Sequence, residues 1–240
     1  MSNTLQNLEI VLAGGAGGLG AASSELLASE GARLTISYHA NAERAQKLAP
    51  LGKVVRADLR SAADRSALLD HAPSLHGLVV FTGDPARVKD PAQLDAAMRH
   101  AMEINYEGPI LLAREAASRM QAAGTHGSIV LFSTMQAVGL FPGSTAYAAA
   151  KAALQHAALI LAKELRGKSN IRVNVIAPGV TAAGMAEASI ASGKYDHLLS
   201  SGMIPRFGRA IDIARAVRFF LEPDNYITGQ VLSVDGGVTL

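Results

Sequence analysis

Residues 8–20 read LEIVLA-GGAGGLG, an apolar run Leu8–Ala13 followed by the glycine-rich run Gly14–Gly20. The apolar run is typical of a buried strand, and the leucines and alanines of residues 19–27 repeat at helical spacing. Glycines between a strand and a helix permit a sharp turn and let the backbone approach a pyrophosphate, which the free N–H groups of a helix N-terminus attract. The stretch therefore predicts a dinucleotide-binding βαβ unit.

Two glycine registers fit this loop. Gly15, Gly17 and Gly20 have the spacing G-x-G-x-x-G, whereas Gly14, Gly18 and Gly20 have the wider spacing G-x-x-x-G-x-G. Both place glycine backbone at the predicted start of the helix, so the sequence leaves the register open.

Apolar runs alternate with helical patterns along the rest of the chain. Residues Ile129–Phe132 are apolar at every position, which indicates a strand covered on both faces, as in a parallel sheet. We predict an α/β fold, a doubly wound parallel sheet with helices on both faces, in a single domain over residues 1–240. The further predicted strands are Arg33–Tyr38, Lys53–Ala57, Leu78–Phe81, Gly127–Ser133, Ile171–Ala177 and Gln230–Val234.

Composition excludes several classes of protein. The chain has no cysteine, which rules out disulfides, thiolate metal sites and a cysteine nucleophile, and no zinc or other metal site is expected. The formal charge is only +2 with scattered bases, which argues against a nucleic-acid partner. No apolar run approaches the ~20 residues of a membrane span. Met1–Glu9 lacks a signal-peptide pattern, so we predict a cytoplasmic protein.

Residues Ser144–Lys151 (STAYAAAK) carry the strongest chemical signal. In a helix, residues four apart share a face, which brings the Lys151 ammonium near the Tyr147 phenol. A nearby cation favours the phenolate and lowers the phenol pKa from its usual value near ~10. Such a tyrosine can give a proton to a carbonyl oxygen as hydride reaches the carbon.

Further motifs complete a pattern, in chain order Asp58-Leu59, Asn105, Ser133-Thr134, Pro178-Gly179 and residues 226–237 (YITGQVLSVDGG). With the glycine loop and the Tyr147–Lys151 pair, the chain resembles the short-chain dehydrogenase/reductase (SDR) family over nearly all its length, most closely the 3-oxoacyl-[acyl-carrier-protein] reductases. The resemblance implies a single NAD(P)-binding Rossmann-like domain and an oxidoreductase acting on CH–OH or C=O groups.

The resemblance also implies roles for matching residues. Tyr147 would be the general acid, Lys151 would hold the nicotinamide ribose, and Asn105 would anchor a water in a proton relay. Thr134 stands where the family has its catalytic serine, thirteen residues before the tyrosine, and completes the catalytic set Asn105, Thr134, Tyr147 and Lys151. The expected cofactor-binding residues are Gly14, Ala16, Gly17, Gly18, Leu19, Gly20, Tyr38, His39, Asp58, Leu59, Thr82, Gly83, Tyr147, Lys151, Pro178, Gly179 and Thr181.

Three departures from the family stand close to the expected cofactor site. Ala13 replaces a threonine that opens the glycine loop, and Val80–Gly83 (VFTG) replaces Asn-Asn-Ala-Gly. We expect packing to replace a polar link between these two segments. Ala183 stands where the family has a threonine that faces the cofactor carboxamide, and Thr181 is the nearest hydroxyl.

The end of the second strand predicts NADP(H), with NAD(H) possible. A carboxylate there would bind the ribose 2′-hydroxyl and repel a 2′-phosphate, but residues 37–41 (SYHAN) contain no acid. His39, Asn41 and Arg44 are candidates to receive the phosphate. The alternative is that Tyr38 and His39 only cap a loop, and either cofactor is used. Asp58 has a similar alternative, as the cap of the helix that follows it.

The predicted substrate is a small-molecule carbonyl or alcohol, or a 3-oxoacyl thioester, covered by a substrate loop near residues 182–208. Arg166, Lys168 and Arg172 are candidates for a basic patch that recognises an acyl carrier. The resemblance implies a homo-oligomer, a dimer or tetramer, that pairs the helices near Ile110–Ala123 and Thr145–Leu165; the alternative is that these helices are buried within the monomer. The alternatives are a dinucleotide sensor or scaffold with low turnover, and an alcohol, polyol or sterol dehydrogenase of the same family.

Overall fold

The computed structural model describes residues 4–88 and 90–240. Its strands are β1 Glu9–Ala13, β2 Arg33–Tyr38, β3 Gly52–Arg56, β4 Leu75–Val80, β5 Ser128–Phe132, β6 Arg172–Pro178 and β7 Val231–Val234. Across the described residues these strands form one parallel sheet with the order β3-β2-β1-β4-β5-β6-β7. The predicted fold class is confirmed.

Helices connect the strands on both faces of the sheet. The α-helices are α1 Gly18–Ser29, α2 Ala42–Gln46, α3 Ala62–Leu69, α4 Leu94–Met102, α5 Gly108–Ala123, α6 Thr145–Leu165, α7 Glu187–Ala191, α8 Asp196–Ser200 and α9 Ala210–Leu221. A π-helical turn, Glu103–Glu107, joins α4 to α5. Short 3-10 turns lie at Ala49–Leu51, Pro91–Gln93, Met135–Ala137, Gly167–Ser169 and Gly184–Ala186.

The core has two layers, one on each face of the sheet. On one face, Val11 and Val80 pack with α5 and α6 through residues such as Leu112. On the other face, Ile10 packs with α1 and α9 through residues such as Phe220. Burial on both faces explains why the strands are apolar at successive positions rather than at alternate ones.

The strand order reverses between β1 and β4, so the chain leaves these two strands in opposite directions. In a parallel sheet this topological switch opens a crevice at the carboxyl ends of the two strands, where ligands bind. The glycine loop follows β1, which places it at this crevice. The fold alone therefore locates the candidate site.

The fourth strand starts earlier than the sequence predicts, at Leu75 rather than Leu78. His76 and Gly77 break the apolar pattern, yet both are buried. The His76 ring lies 3.2 Å from the Leu221 carbonyl through Nε2. A side chain at Gly77 would come within 2.8 Å of Leu221, so the glycine makes room for the end of α9.

No helix in residues 4–88 and 90–240 is long and apolar enough to cross a membrane.

Gly20 and Gly17 offer a test of packing at the glycine loop. A Cβ at Gly20 would lie 2.5 Å from the Gly15 Cα, whereas a Cβ at Gly17 would meet only the Gly14 carbonyl at 3.3 Å. Overpacking of this kind costs about 1–3 kcal/mol. We expect Gly20→Ala to lower the melting temperature, by about 2–4 °C for each kcal/mol, measured by circular dichroism.

Gly17→Ala is the matched control. Gly17 has φ −73° and ψ 174°, which alanine adopts freely, so its melting temperature is expected to stay close to that of the wild type. Equal losses in the two variants would contradict the packing argument.

Candidate active site

A cleft of about 810 Å³ lies over the carboxyl ends of the strands. Its walls are the glycine loop, the segments after β4, β5 and β6, and the first turns of α6. Most of the predicted site residues line it: Gly14, Gly17, Gly18, Leu19, Gly20, His39, Asp58, Leu59, Thr82, Gly83, Thr134, Tyr147, Lys151, Pro178, Gly179 and Thr181. Ala16, Tyr38 and Asn105 are outside this lining.

The glycine loop favours the wider of the two registers. Gly14 has a φ of +73°, and its N–H donates to the Ser37 hydroxyl at 3.0 Å. A Cβ at Gly18 would lie 2.5 Å from the Gly184 nitrogen, and one at Gly20 would meet Gly15. The three positions of G-x-x-x-G-x-G each need a glycine, whereas in the narrower register Gly15 and Gly20 need one and a Cβ at Gly17 would meet only the Gly14 carbonyl, at 3.3 Å.

Ala16 and Tyr38 lie beneath the loop instead of at the cleft. Ala16 is buried and its N–H donates to the Ser37 carbonyl at 3.3 Å. Tyr38 packs against the core layer that α1 and α9 cover. The structure does not place Ala16 and Tyr38 at the cleft, where they were predicted to contact the cofactor, because both side chains pack at the strand ends.

A buried hydroxyl tests whether the cleft fits a dinucleotide. Thr82 Oγ1 is buried without a hydrogen-bond partner, and the Thr82 methyl lies 3.0 Å from where a Cβ on Gly14 would stand. An unsatisfied buried hydroxyl costs about 1–3 kcal/mol, so its position suits a polar ligand group. The α1 N-terminus beside it offers N–H donors to a phosphate. These groups fit the pyrophosphate and ribose of a dinucleotide.

The two apolar replacements at the strand ends are neighbours, as expected. Ala13 on β1 pairs in register with Val80 on β4, and both are buried in the layer that α5 and α6 cover. Phe81 points to the other face and stacks on Phe132 with ring centroids 4.6 Å apart. Apolar packing therefore occupies both faces of this strand end.

Lys151 connects α6 to the ends of two central strands. Its ammonium donates to the carbonyls of Thr82 at 3.0 Å and Phe132 at 2.8 Å. The side chain is only 2% exposed. Burial disfavours the charged form and lowers the pKa of Lys151 to about 7.

Tyr147 lies one helical turn before Lys151, in the first turn of α6. Burial raises the pKa of Tyr147 to about 12, a hydrogen bond with the Thr134 hydroxyl acts to lower it, and the nearby Asp84 and Tyr195 raise it. The prediction that Lys151 lowers the pKa of Tyr147 is wrong for the protein without a cofactor. Burial of the phenol dominates, and the Lys151 ammonium donates to the two carbonyls. The Tyr147 phenol therefore carries its proton at neutral pH.

Thr134, not Ser133, faces the tyrosine. Thr134 lies close enough to Tyr147 to lower its pKa, and it caps the turn that follows, where its Oγ1 accepts from the Gln136 N–H at 3.3 Å. The Ser133 hydroxyl instead donates to the Lys151 carbonyl at 3.3 Å and accepts from Gln155 at 2.8 Å. Alternation along the strand end separates the two hydroxyls.

Asn105 lies on the π-helical turn and is fully buried. Its Oδ1 accepts from the Asp84 N–H at 2.9 Å, and its Nδ2 donates to the Asp84 carbonyl at 3.0 Å. The side chain thereby holds the segment after β4 in place. A Cβ on Gly83 would lie 3.1 Å from Asn105 Oδ1 and 3.4 Å from Lys151 Nζ, so these two residues flank Gly83. The predicted water relay stays a prediction.

Asp58 is engaged by a residue that the sequence motifs did not indicate. Arg60 donates to both carboxylate oxygens, at 3.0 Å and 2.6 Å, and lowers the pKa of Asp58 to about 2. His39 lies 3.5 Å from the same carboxylate. Ser61, not Asp58, caps α3, since its hydroxyl accepts from the Asp64 N–H at 3.2 Å.

Two other residues predicted to contact the cofactor form hydrogen bonds within the chain. Asn41 is the N-cap of α2, and its Oδ1 accepts from the Arg44 N–H at 2.8 Å. Thr181 donates to the Gly179 carbonyl at 3.2 Å. Ala183 lines the cleft close to Gly18.

The predicted basic patch for an acyl carrier lies at the wrong end of the sheet. Arg166 and Lys168 follow the last turn of α6, whereas Tyr147 lies in its first turn. The 21 residues of this helix span about 30 Å. Arg172 begins β6, is buried, and donates to the Phe220 and Glu222 carbonyls at 2.8 Å each. These groups cannot form a patch beside the cleft.

Several lining residues were not foreseen. They stand on loops, where position depends on how the chain folds back over the sheet rather than on a local pattern. They include Arg60, Asp84, Arg87, Glu103, Met135, Gln136 and Phe141, whereas Met185, Lys194 and Tyr195 belong to the predicted substrate loop and Ser144 to the Ser144–Lys151 motif.

Comparison with known proteins agrees with this site. A family model described as Enoyl-(Acyl carrier protein) reductase matches residues 14–239. The chain is 31% identical to the NADPH-dependent aldehyde reductase-like protein, chloroplastic, of Arabidopsis thaliana, over 95% of this chain and 92% of that protein. It is 32% identical to a 3-oxoacyl-[acyl-carrier-protein] reductase of Rattus norvegicus, over 95% and 96%.

Solved structures agree as well. A 7α-hydroxysteroid dehydrogenase complexed with NADH and 7-oxo glycochenodeoxycholic acid superposes with a TM-score of 0.88 at 30% identity, over 98% of this chain and 96% of that one. Fold and site thus define an oxidoreductase that acts on alcohol or carbonyl groups. The chain belongs to the short-chain dehydrogenase/reductase family, as the sequence motifs predict.

The low pKa of Lys151 predicts a pH-dependent contribution to stability. In the unfolded chain the lysine stays protonated up to about pH 10.4, whereas in the folded chain it loses its proton near pH 7. The unfolded state therefore binds more protons between these values, and wild-type stability rises with pH across that window, by at most about 1.4 kcal/mol per pH unit. Thermal melts should show the stability of wild type relative to Lys151→Met increasing from pH 6 to pH 9.5.

Lys163→Met is the control, since Lys163 lies exposed on the same helix. Its difference from wild type should not vary with pH. A Lys151→Met difference that is equally flat would show that the folded protein does not depress this pKa.

Proposed function

We propose that the protein is an NADPH-dependent reductase of an aldehyde or ketone, with Tyr147 as the proton donor. One observation carries the proposal: Tyr147, Thr134 and Lys151 converge on the cleft wall that faces the glycine loop. The bound dinucleotide would supply the hydride. The chain's own groups hold the reacting carbonyl and supply the proton.

The two hydroxyls would act on the carbonyl oxygen. Tyr147 carries its proton at neutral pH because burial raises its pKa to about 12. As negative charge grows on the substrate oxygen, the phenol proton moves to it, and the Thr134 hydroxyl stabilises the same oxygen or the phenolate left behind. Lys151 lies one helical turn after Tyr147, and its pKa of about 7 suits proton exchange. It would return a proton to the Tyr147 phenolate through the cleft.

Charge at the far end of the cleft supports NADP(H) over NAD(H). His39, Arg44 and Arg60 line that end, close to the end of β2. Arg44 forms no ion pair within the described residues, and Asp58, which also lines the cleft, is already neutralised by Arg60. The Arabidopsis relative is named NADPH-dependent, whereas the hydroxysteroid dehydrogenase structure holds NADH, so both cofactors occur among relatives.

The surface supports the expected homo-oligomer. α5 and α6 lie side by side and leave the apolar side chains of Leu111, Leu159 and Ile160 exposed. A second copy of the chain would cover them, in a cytoplasmic dimer or tetramer. A substrate carried by an acyl carrier protein loses support, since the basic residues proposed to recognise the carrier lie away from the cleft.

Tyr147→Phe tests the proton donor. Removing a general acid lowers turnover by about 10²–10⁴-fold. We expect kcat for NADPH-driven reduction of small aldehydes and ketones to fall by at least about a hundredfold, with NADPH binding retained in a fluorescence titration. Tyr226→Phe removes the same atom from a fully exposed tyrosine and should behave like wild type. Unchanged turnover in Tyr147→Phe would exclude Tyr147 as the acid.

Arg44→Gln tests the cofactor preference. Loss of one charge-assisted hydrogen bond to phosphate costs about 1.5–3 kcal/mol, or about 10- to 150-fold in affinity. We expect the dissociation constant for NADPH to rise in this range, while that for NADH stays unchanged. Lys47→Gln removes a charge from the same short segment outside the cleft and should alter neither. Tighter NADH than NADPH binding in the wild type would overturn the preference.

A further inference from the structure

Two cations in the substrate half of the cleft have no part in the proposed hydride transfer. Arg87 lies on the segment after β4, and Lys194 lies in the turn between α7 and α8. Both line the cleft, together with Met185 and Tyr195. Both side chains are exposed, and neither forms an ion pair among the described residues.

Arg87 is held by neutral groups only. One guanidinium nitrogen, Nη2, donates to the Ser189 hydroxyl at 3.1 Å and to the Met185 carbonyl at 3.4 Å. These contacts orient the side chain across the mouth of the cleft but leave its charge uncompensated. The remaining N–H groups of an arginine fork suit a planar or tetrahedral anion.

Lys194 is placed beside the same serine. Its backbone N–H donates to the Ser189 carbonyl at 3.1 Å, so Ser189 contacts both cationic residues. The Lys194 ammonium lies 5.5 Å from the centre of the Tyr195 ring. Tyr195 in turn is close enough to Tyr147 to influence its pKa. Lys194 is thus the neighbour of a residue that acts on the Tyr147 phenol, and both cations line the same cleft as that phenol.

One carboxylate shares this half of the cleft, and it is already occupied. Asp84 Oδ1 accepts from the Ala86 N–H at 2.7 Å, and Oδ2 lies 4.0 Å from the His100 ring. The other acids that line the cleft, Asp58 and Glu103, interact with Arg60 at the opposite end. Arg87 and Lys194 thus have no internal counter-ion within the cleft.

We propose that Arg87 and Lys194 bind an anionic group, a carboxylate, sulfonate or phosphate, carried by the carbonyl substrate. The proposal rests on the reductase function argued above. The lining that these cations share with Tyr147 also includes the apolar side chains of Met135, Phe141 and Met185. The substrate class is accordingly a small apolar or aromatic aldehyde or ketone whose anionic group lies at the end away from the carbonyl.

Three aldehydes of one shape test the proposal: 4-formylbenzoate, 4-formylbenzenesulfonate and the neutral methyl 4-formylbenzoate. With NADPH, kcat/KM for at least one anion should exceed that for the ester by about tenfold or more, mainly through KM. Comparison of the two anions distinguishes a carboxylate site from a site for tetrahedral anions. Arg87→Gln and Lys194→Gln should each reduce this preference, while Arg87→Lys should keep part of it because charge remains without the fork.

Two control variants separate charge from structure. Ser189→Ala removes the contact of Arg87 without removing its charge, and should retain most of the preference for the anion. Arg166→Gln removes a cation at the far end of α6 and should retain all of it. In Ser189→Ala and Arg166→Gln, kcat/KM for the neutral ester should stay close to wild type.

A binding measurement that involves no turnover tests the anion subsite independently of the proposed reaction. Calorimetry of the NADPH-loaded protein with 4-(hydroxymethyl)benzoate and its methyl ester should show about tenfold tighter binding of the anion, dependent on Arg87. Absence of turnover together with this binding would reject the reductase and leave the anion subsite standing. Equal binding of acid and ester, or an equal loss in Arg87→Gln and Arg166→Gln, would overturn the subsite.

Discussion

The two hydrogen bonds from the Lys151 ammonium to the Thr82 and Phe132 carbonyls organise the reacting half of the molecule. They join α6 to the ends of β4 and β5, at the point where the chain leaves the sheet. Because Tyr147 lies one turn earlier on the same helix, its position over the strand ends follows from this contact. A lysine buried so completely pays a desolvation cost, which its lowered pKa records.

The facing wall is shaped by the absence of side chains. Gly18 lies against Gly184, and Gly20 lies against Gly15, at distances that no Cβ permits. The first contact brings the segment after β6 onto the glycine loop, and the second brings the first turn of α1 onto the end of β1. The cleft thus has one wall set by a buried charge and another set by close backbone packing, and both depend on the parallel sheet beneath them.

Local pattern sufficed for the fold, and pattern together with the family resemblance brought most of the predicted cofactor-binding residues to one cleft. Apolar runs gave strands within a few residues, and glycine spacing located the loop. The sequence could not show that burial raises the pKa of Tyr147 instead of Lys151 lowering it, because desolvation depends on the packing of distant segments. Arg60 and Arg87 were missed for the same reason, since each reaches the cleft from a loop whose path only the folded chain defines.

Charge in the cleft is divided between its two ends. His39, Arg44 and Arg60 stand at one end and Arg87 and Lys194 at the other, while the centre holds a neutral phenol and a lysine close to its pKa. Hydride transfer to a carbonyl places new negative charge on one oxygen only, so a neutral centre with hydroxyl donors responds to the transition state more than to the ground state. In the proposed reaction, cations at the ends would orient the reactants without acting on the reacting atoms, which would separate recognition from chemistry within one continuous cleft.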